Sequence, residues 1–164
     1  MNAPFRDPAE NDGLLRHFYR DWRPTQLARI WNAAFAWASG LGLTPPILLT
    51  LQTRDRSNGR LISTVLAPVE YEGRRYLVSM LGDGSQWVQN VRAAGGAAFV
   101  KRGRTRSVTL IEIPTAASAP ILKAWSQIAT SGRKHLPLPY DAPFSAFEAI
   151  AASYPVFRID PAPS

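Results

Sequence analysis

The stretch Gly82-Asp83-Gly84-Ser85-Gln86-Trp87-Val88-Gln89-Asn90-Val91-Arg92-Ala93-Ala94-Gly95-Gly96 decides how this chain folds. It predicts a turn, a short helix and a glycine stop, set between two strand hairpins. Ser85 is placed to cap the helix, since a short hydroxyl can accept from first-turn amides that lack partners. Asp83 lies just upstream, at the positive end of the helix. Gly95 and Gly96 end it, because glycine accepts the left-handed conformation cheaply. Trp87, Val88, Val91 and Ala94 recur at helical spacing and make one apolar side, while Asn90 and Arg92 project elsewhere. Amides exposed at such a helix start favour anions.

Outward from this helix, Leu61 to Tyr71 and Arg74 to Leu81 are predicted to form a hairpin around Glu72-Gly73. On the other side, Ala97 to Lys101 and Arg104 to Ile113 form a second hairpin around Arg102-Gly103. Alternation puts Arg104, Arg106, Val108 and Leu110 on one face, so this strand passes from the surface into the core. Arg102 and Arg104 suit a solvated edge that resists strand-to-strand association. Ile47 to Thr53 is an apolar strand, followed by a polar loop from Arg54 to Gly59. Helices are expected over 24–41, opened by Pro24, and over 115–130, capped by Thr115 and stopped by Gly132. Phe144, Phe147 and Ala151 mark a short last helix, and Val156 to Ile159 a closing strand. The sum is an α+β domain. An arm over 1–23, expected to be partly disordered, precedes a single domain over 24–160.

The chain has 164 residues, enough for one domain with a real core, and 46% of them are hydrophobic. No run of eighteen apolar residues predicts a transmembrane span. The first residues lack the apolar centre of a secretory leader, so a cytoplasmic location is expected. With no cysteine, disulfides, thiolate metal sites and a thiol nucleophile are excluded. His17 and His135 are too few for a multi-histidine centre, and no metal site is expected. Nineteen basic residues against twelve acidic ones leave a net charge of +7. They are scattered from Arg6 to Arg158, which argues against a dedicated nucleic-acid surface and fits a small anionic ligand. The helix over 24–41 carries Phe35 and Trp37 off its apolar stripe. It reads either as packed in a groove or as a contact with a membrane surface, the inner face of the plasma membrane in this setting, or as a lid over an apolar substrate.

In order, the segments Gly73-Arg74-Arg75-Tyr76-Leu77-Val78, Gly82, Trp87-Val88-Gln89-Asn90-Val91-Arg92-Ala93-Ala94-Gly95, Lys101-Arg102-Gly103-Arg104 and Pro155-Val156-Phe157-Arg158 carry a likeness. Through them the chain resembles the nitroreductases and quinone reductases that depend on the deazaflavin coenzyme F(420). The likeness spans about Pro46 to Ile159. It implies a split β-barrel of about six strands with peripheral helices. It also implies hydride transfer from the reduced deazaflavin to a small hydrophobic acceptor, such as a quinone or nitro compound. The alternative is a split-barrel binder of a lipid, of a flavin such as FMN, or of another apolar ligand, without turnover. Monomer and homodimer are both left open.

The same resemblance implies a cofactor site. Arg56, Ser57, Asn58 and Arg60 would hold the phosphate and carboxylate tail. Arginine offers a planar fork of donors matched to such groups, and Gly59 lets the backbone approach. Aligned through Gly59, the sequence has Asp55 where the family has glycine, Ser57 where it has lysine and Asn58 where it has a hydroxyl residue. A usual proline is Val65. Thr64, Val65 and Leu66, with Ser79, Met80, Leu81 and Gly82, would flank the flat ring system. Trp87 and Asn90 would complete the pocket, although Trp87 equally suits a core anchor. Tyr140 is the candidate proton donor, with Tyr76, Ser79 or water as other sources.

Overall fold

The computed structural model describes residues 19–20, 23–24, 48–130 and 132–163. The strands are β1 (Tyr19–Arg20), β2 (Arg23–Pro24), β3 (Leu49–Arg54), β4 (Leu61–Leu66), β5 (Val69–Tyr71), β6 (Arg74–Val78), β7 (Ala97–Arg102), β8 (Arg104–Glu112) and β9 (Val156–Pro161). The helices, here α1 (Gln86–Ala93), α2 (Thr115–Ile128) and α3 (Phe144–Ile150), come between or after them. Pro24, expected to open a helix, is paired in the β1–β2 ladder instead. The rest of the helix expected over 24–41 lies outside the described residues, as does most of the arm over 1–23.

Seven antiparallel strands form one sheet in the order β4-β3-β7-β8-β9-β6-β5. Its edges, β4 and β5, are consecutive in the chain and joined only through Ala67 and Pro68. A flat sheet would separate edges six spacings apart by roughly 29 Å. Three Cα steps from Leu66 to Val69 reach about 11 Å at most. The sheet must therefore curl until its edges meet, which makes a split β-barrel. The expected strand over 61–71 is thus two strands, broken where Pro68 cannot donate to a ladder. The expected pairing of its full length with the next strand fails for the same reason: β4 pairs with β3, and β5 alone pairs with β6. The turn itself is as expected, with Glu72 and Gly73 both at positive φ (50° and 71°).

Two cores lie on opposite faces of the curl. Inside it, Leu49, Leu51, Leu77, Val108, Leu110 and Phe157 pack around Trp87, Val88 and Val91 of α1. Outside it, Val69, Tyr76 and Val78 meet Ile121, Leu122 and Trp125 of α2 and Phe147 of α3. Burial on β8 runs from exposed Arg104 and Arg106 to buried Val108 and Leu110, as the alternation predicts. The β7–β8 hairpin, however, lies in the middle of the sheet, so Arg102 and Arg104 sit at a hairpin tip and guard no edge. No helix among the described residues is long and apolar enough to cross a membrane.

Candidate functional site

The loop over 55–60 and the start of α1 meet at one end of the barrel. Gln86 and Asn90 are one helical turn apart and share a face. Gln86 Nε2 donates to Asp55 Oδ2 at 3.2 Å. Asn90 Oδ1 accepts from the Arg56 backbone N–H and from Arg56 Nη1, both at 3.2 Å. Its amide nitrogen donates to Thr53 Oγ1 at 3.4 Å. Asn90 is 1% exposed, so this side chain is a buried bolt between loop and helix. It spans 34 residues of sequence to Arg56.

Within the loop, the Ser57 N–H donates to Asp55 Oδ1 at 2.7 Å, and the Ser57 hydroxyl donates to the same oxygen. These bonds, the hydroxyl's first, hold the Asp55 carboxyl below its ordinary 3.8. Asn58 Oδ1 accepts from the Arg60 N–H at 3.0 Å, and Arg54 Nη1 donates to the Gly59 carbonyl at 3.3 Å. Asp55 is therefore an anion whose lone pairs are already engaged. Arg56, Ser57, Asn58 and Arg60 are exposed. An anionic tail would meet three guanidinium groups and one hydrogen-bonded carboxylate, and that donor set fits it.

The second expected segment is a turn. Ser79 Oγ donates to the Gly82 carbonyl at 2.7 Å, and the Gly82 N–H donates back to the Ser79 carbonyl at 3.1 Å. Gly82 has φ +78°, and a Cβ there would lie 3.0 Å from the Ser153 carbonyl oxygen. Met80 and Leu81 are half-buried beside it. Ser85 takes the cap position of α1, but its hydroxyl makes no capping bond. The residue as a whole is 4% exposed. Asp83 pairs with Arg92 Nη1 at 2.7 Å, and Arg92 Nε donates to Glu112 at 2.9 Å. Both carboxylates raise the Arg92 pKa.

Other expected site residues lie elsewhere. Trp87 is 5% exposed and packs edge-on against Phe157, with centroids 5.3 Å apart. Leu66 is also in the inner core. Thr64 pairs with Leu51 and faces the interior, whereas Val65 pairs with Thr50 and faces the other side. Three consecutive strand residues thus present two different faces. Tyr76 is enclosed in the outer core. Tyr140 is 48% exposed and stacks under Arg133, whose Cζ is 4.5 Å from the ring centroid. Sequence reasoning missed Gln86, although its one-turn spacing from Asn90 carried the signal. It also missed Tyr154, whose hydroxyl donates to the His135 carbonyl at 3.2 Å and whose pKa burial raises.

No known family model matches the sequence, and no curated protein does. Among solved structures the chain is similar to a protein described as a domain-swapped dimer, at 17% identity and a TM-score of 0.52. That match covers 82% of this chain and 94% of the other. It is also similar to an F(420)-H2 dependent reductase, at 18% identity and a TM-score of 0.44, over 70% of this chain and 95% of that one. General Stress Protein 26 from Bacillus anthracis str. Sterne gives 13% identity and a TM-score of 0.49, over 77% and 88%. At 17% identity the likeness to the first of these is one of fold alone, that of the curled sheet described above.

Proposed function

We propose that this chain is an oxidoreductase that passes a hydride from reduced deazaflavin F(420) to a small hydrophobic acceptor, such as a quinone or nitro compound. The observation that carries the reading is the bolt at Asn90. It fixes the loop over 55–60 against α1 while leaving the Arg56 and Arg60 side chains exposed. A loop held before the ligand arrives loses less entropy on binding. Bound there, the deazaflavin would supply the hydride chemistry. Arg56 and Arg60, with Ser57 and Asn58, would hold its anionic tail. Backbone groups of Ser79, Met80, Leu81 and Gly82 would orient the ring and keep water away, with Val65 beside it and Thr64 behind it on the inner face of β4. Leu66 and Trp87 would act from beneath, by fixing β4 and α1. Tyr140 is the proposed proton source, and a homodimer is an acceptable assembly.

A second reading is a binder of FMN or a lipid without turnover. The carboxylate at Asp55 favours it, because it stands where the deazaflavin enzymes have glycine. Titration with oxidised deazaflavin, followed by fluorescence, separates the two. Binding at or below tens of micromolar, roughly 6 kcal/mol or better, is expected. No binding there, with FMN or a fatty acid binding instead, overturns the enzyme assignment.

A further inference from the structure

The inner face of the barrel changes character along its axis. At one end α1 fills it with Trp87, Val88 and Val91. Toward the other end the inward positions of β8 continue from Leu110 and Val108 to Arg106 and Arg104. Across the hairpin, Val108 pairs with Ala98, Arg106 with Val100 and Arg104 with Arg102, so Arg102 joins the same face. On β6, Arg75 alternates with Leu77, which pairs with the core residue Phe157. These four arginines and Arg74 line a cleft of about 710 Å³. Leu49, Val100, Val108 and Ile159 give it an apolar floor.

The cleft carries little negative charge of its own. Asp160 lies on its wall, but Arg158 engages both oxygens, at 2.8 and 2.7 Å. Glu70 pairs with Arg75 in register without forming an ion pair. Among the described residues, no ion pair reaches any of the five arginines. Arg102 and Arg104 stand directly opposite each other, a register in which like charges repel. A ring of guanidinium groups above an apolar floor, in a cleft of small-molecule size, matches one ligand chemistry.

We propose that this mouth of the barrel binds a small amphiphilic phosphate ester, its head among Arg102, Arg104 and Arg106 and its apolar portion on the floor. The site is distinct from the loop over 55–60. Strand β3 runs from Leu49, on the cleft floor, to Arg54, which enters that loop, so the two lie at opposite ends. The proposal therefore stands apart from the deazaflavin reading.

Calorimetric titration of the full chain with octyl phosphate, inorganic phosphate and octanol tests it. Octyl phosphate is expected to bind with a Kd below about 1 mM, and inorganic phosphate and octanol at least about tenfold more weakly. The Arg104→Ala/Arg106→Ala variant is expected to lose about tenfold or more in octyl phosphate affinity, and added salt to weaken the wild type. Both side chains are exposed, so a circular dichroism melt should show the variant folded. Its deazaflavin titration should match the wild type. An unchanged octyl phosphate affinity in the variant overturns the proposal, as does octanol binding equally well. Binding confined to phosphatidylglycerol vesicles or to duplex DNA also overturns it, because the arginines would then serve an extended anionic surface.

Discussion

The indole N–H of Trp125 donates to the carbonyl of Ala67 at 3.0 Å. Ala67 belongs to the two-residue link where the barrel's edges meet, and Trp125 belongs to the helix packed outside the sheet. One side chain thus ties the closure of the barrel to the outer core. Trp125→Phe keeps most of the packing and strands the carbonyl, and should cost about 1–3 kcal/mol. Trp125→Ala should cost about 3–5 kcal/mol. Denaturant unfolding measures both, and equal losses for the two would mean that packing contributes nothing beyond the bond.

Gly96 ends the stretch that begins at Gly82, at φ +91°, and a Cβ there would lie 2.7 Å from the Leu110 carbonyl oxygen. That oxygen is backbone and cannot swing aside. Gly96→Ala should destabilise by about 1–3 kcal/mol, the usual strain of a side chain in such a conformation. Gly95→Ala, at φ +61° with open space around it, should cost less. A reversed order in thermal melts would show that the close approach is relaxed in solution.

Asn90 makes three hydrogen bonds from a buried position, two with Arg56 and one with Thr53. Asn90→Ala should cost about 1–3 kcal/mol of stability through the polar groups it leaves unpaired. It should also weaken deazaflavin, since the loop is no longer held. Arg56→Ala should lower deazaflavin affinity by about 1–3 kcal/mol with little change in the unfolding midpoint. Affinity unaltered by Arg56→Ala would place the tail elsewhere.

Ser57 holds the Asp55 carboxyl below its ordinary 3.8 in the folded chain, its hydroxyl bond first and its backbone N–H second. A depressed carboxylate contributes to loop order above the unfolded value, and the contribution is lost as pH falls through the folded value. NMR titration of Asp55 should therefore give a midpoint under 3.8. Ser57→Ala should raise it while leaving it depressed, since the backbone N–H of residue 57 still donates. An unmoved midpoint would remove the hydroxyl as the main cause.

Arg102→Ala removes one member of the opposed arginine pair at the hairpin tip. The thermal midpoint should rise at low salt, and the gain should shrink as salt screens the repulsion. A fall at low salt would overturn the repulsion assigned to this pair.

Local pattern in the sequence determined the helix at 86–93, its glycine stop, the Glu72-Gly73 turn and the passage of β8 from surface to core. Each depends on residues a few positions apart, where spacing and backbone preference speak directly. Even there, Ser85 takes the cap position without making the capping bond that its residue type predicts. Tertiary structure alone decided that β4 and β5 part at Pro68 and meet again as opposite edges, because strand pairing is a long-range choice. It alone joined Asn90 to Arg56 and gathered Arg75, Arg102, Arg104 and Arg106 at one mouth. Charges scattered along a chain become a site only when the curl of a sheet turns their strands to face one another.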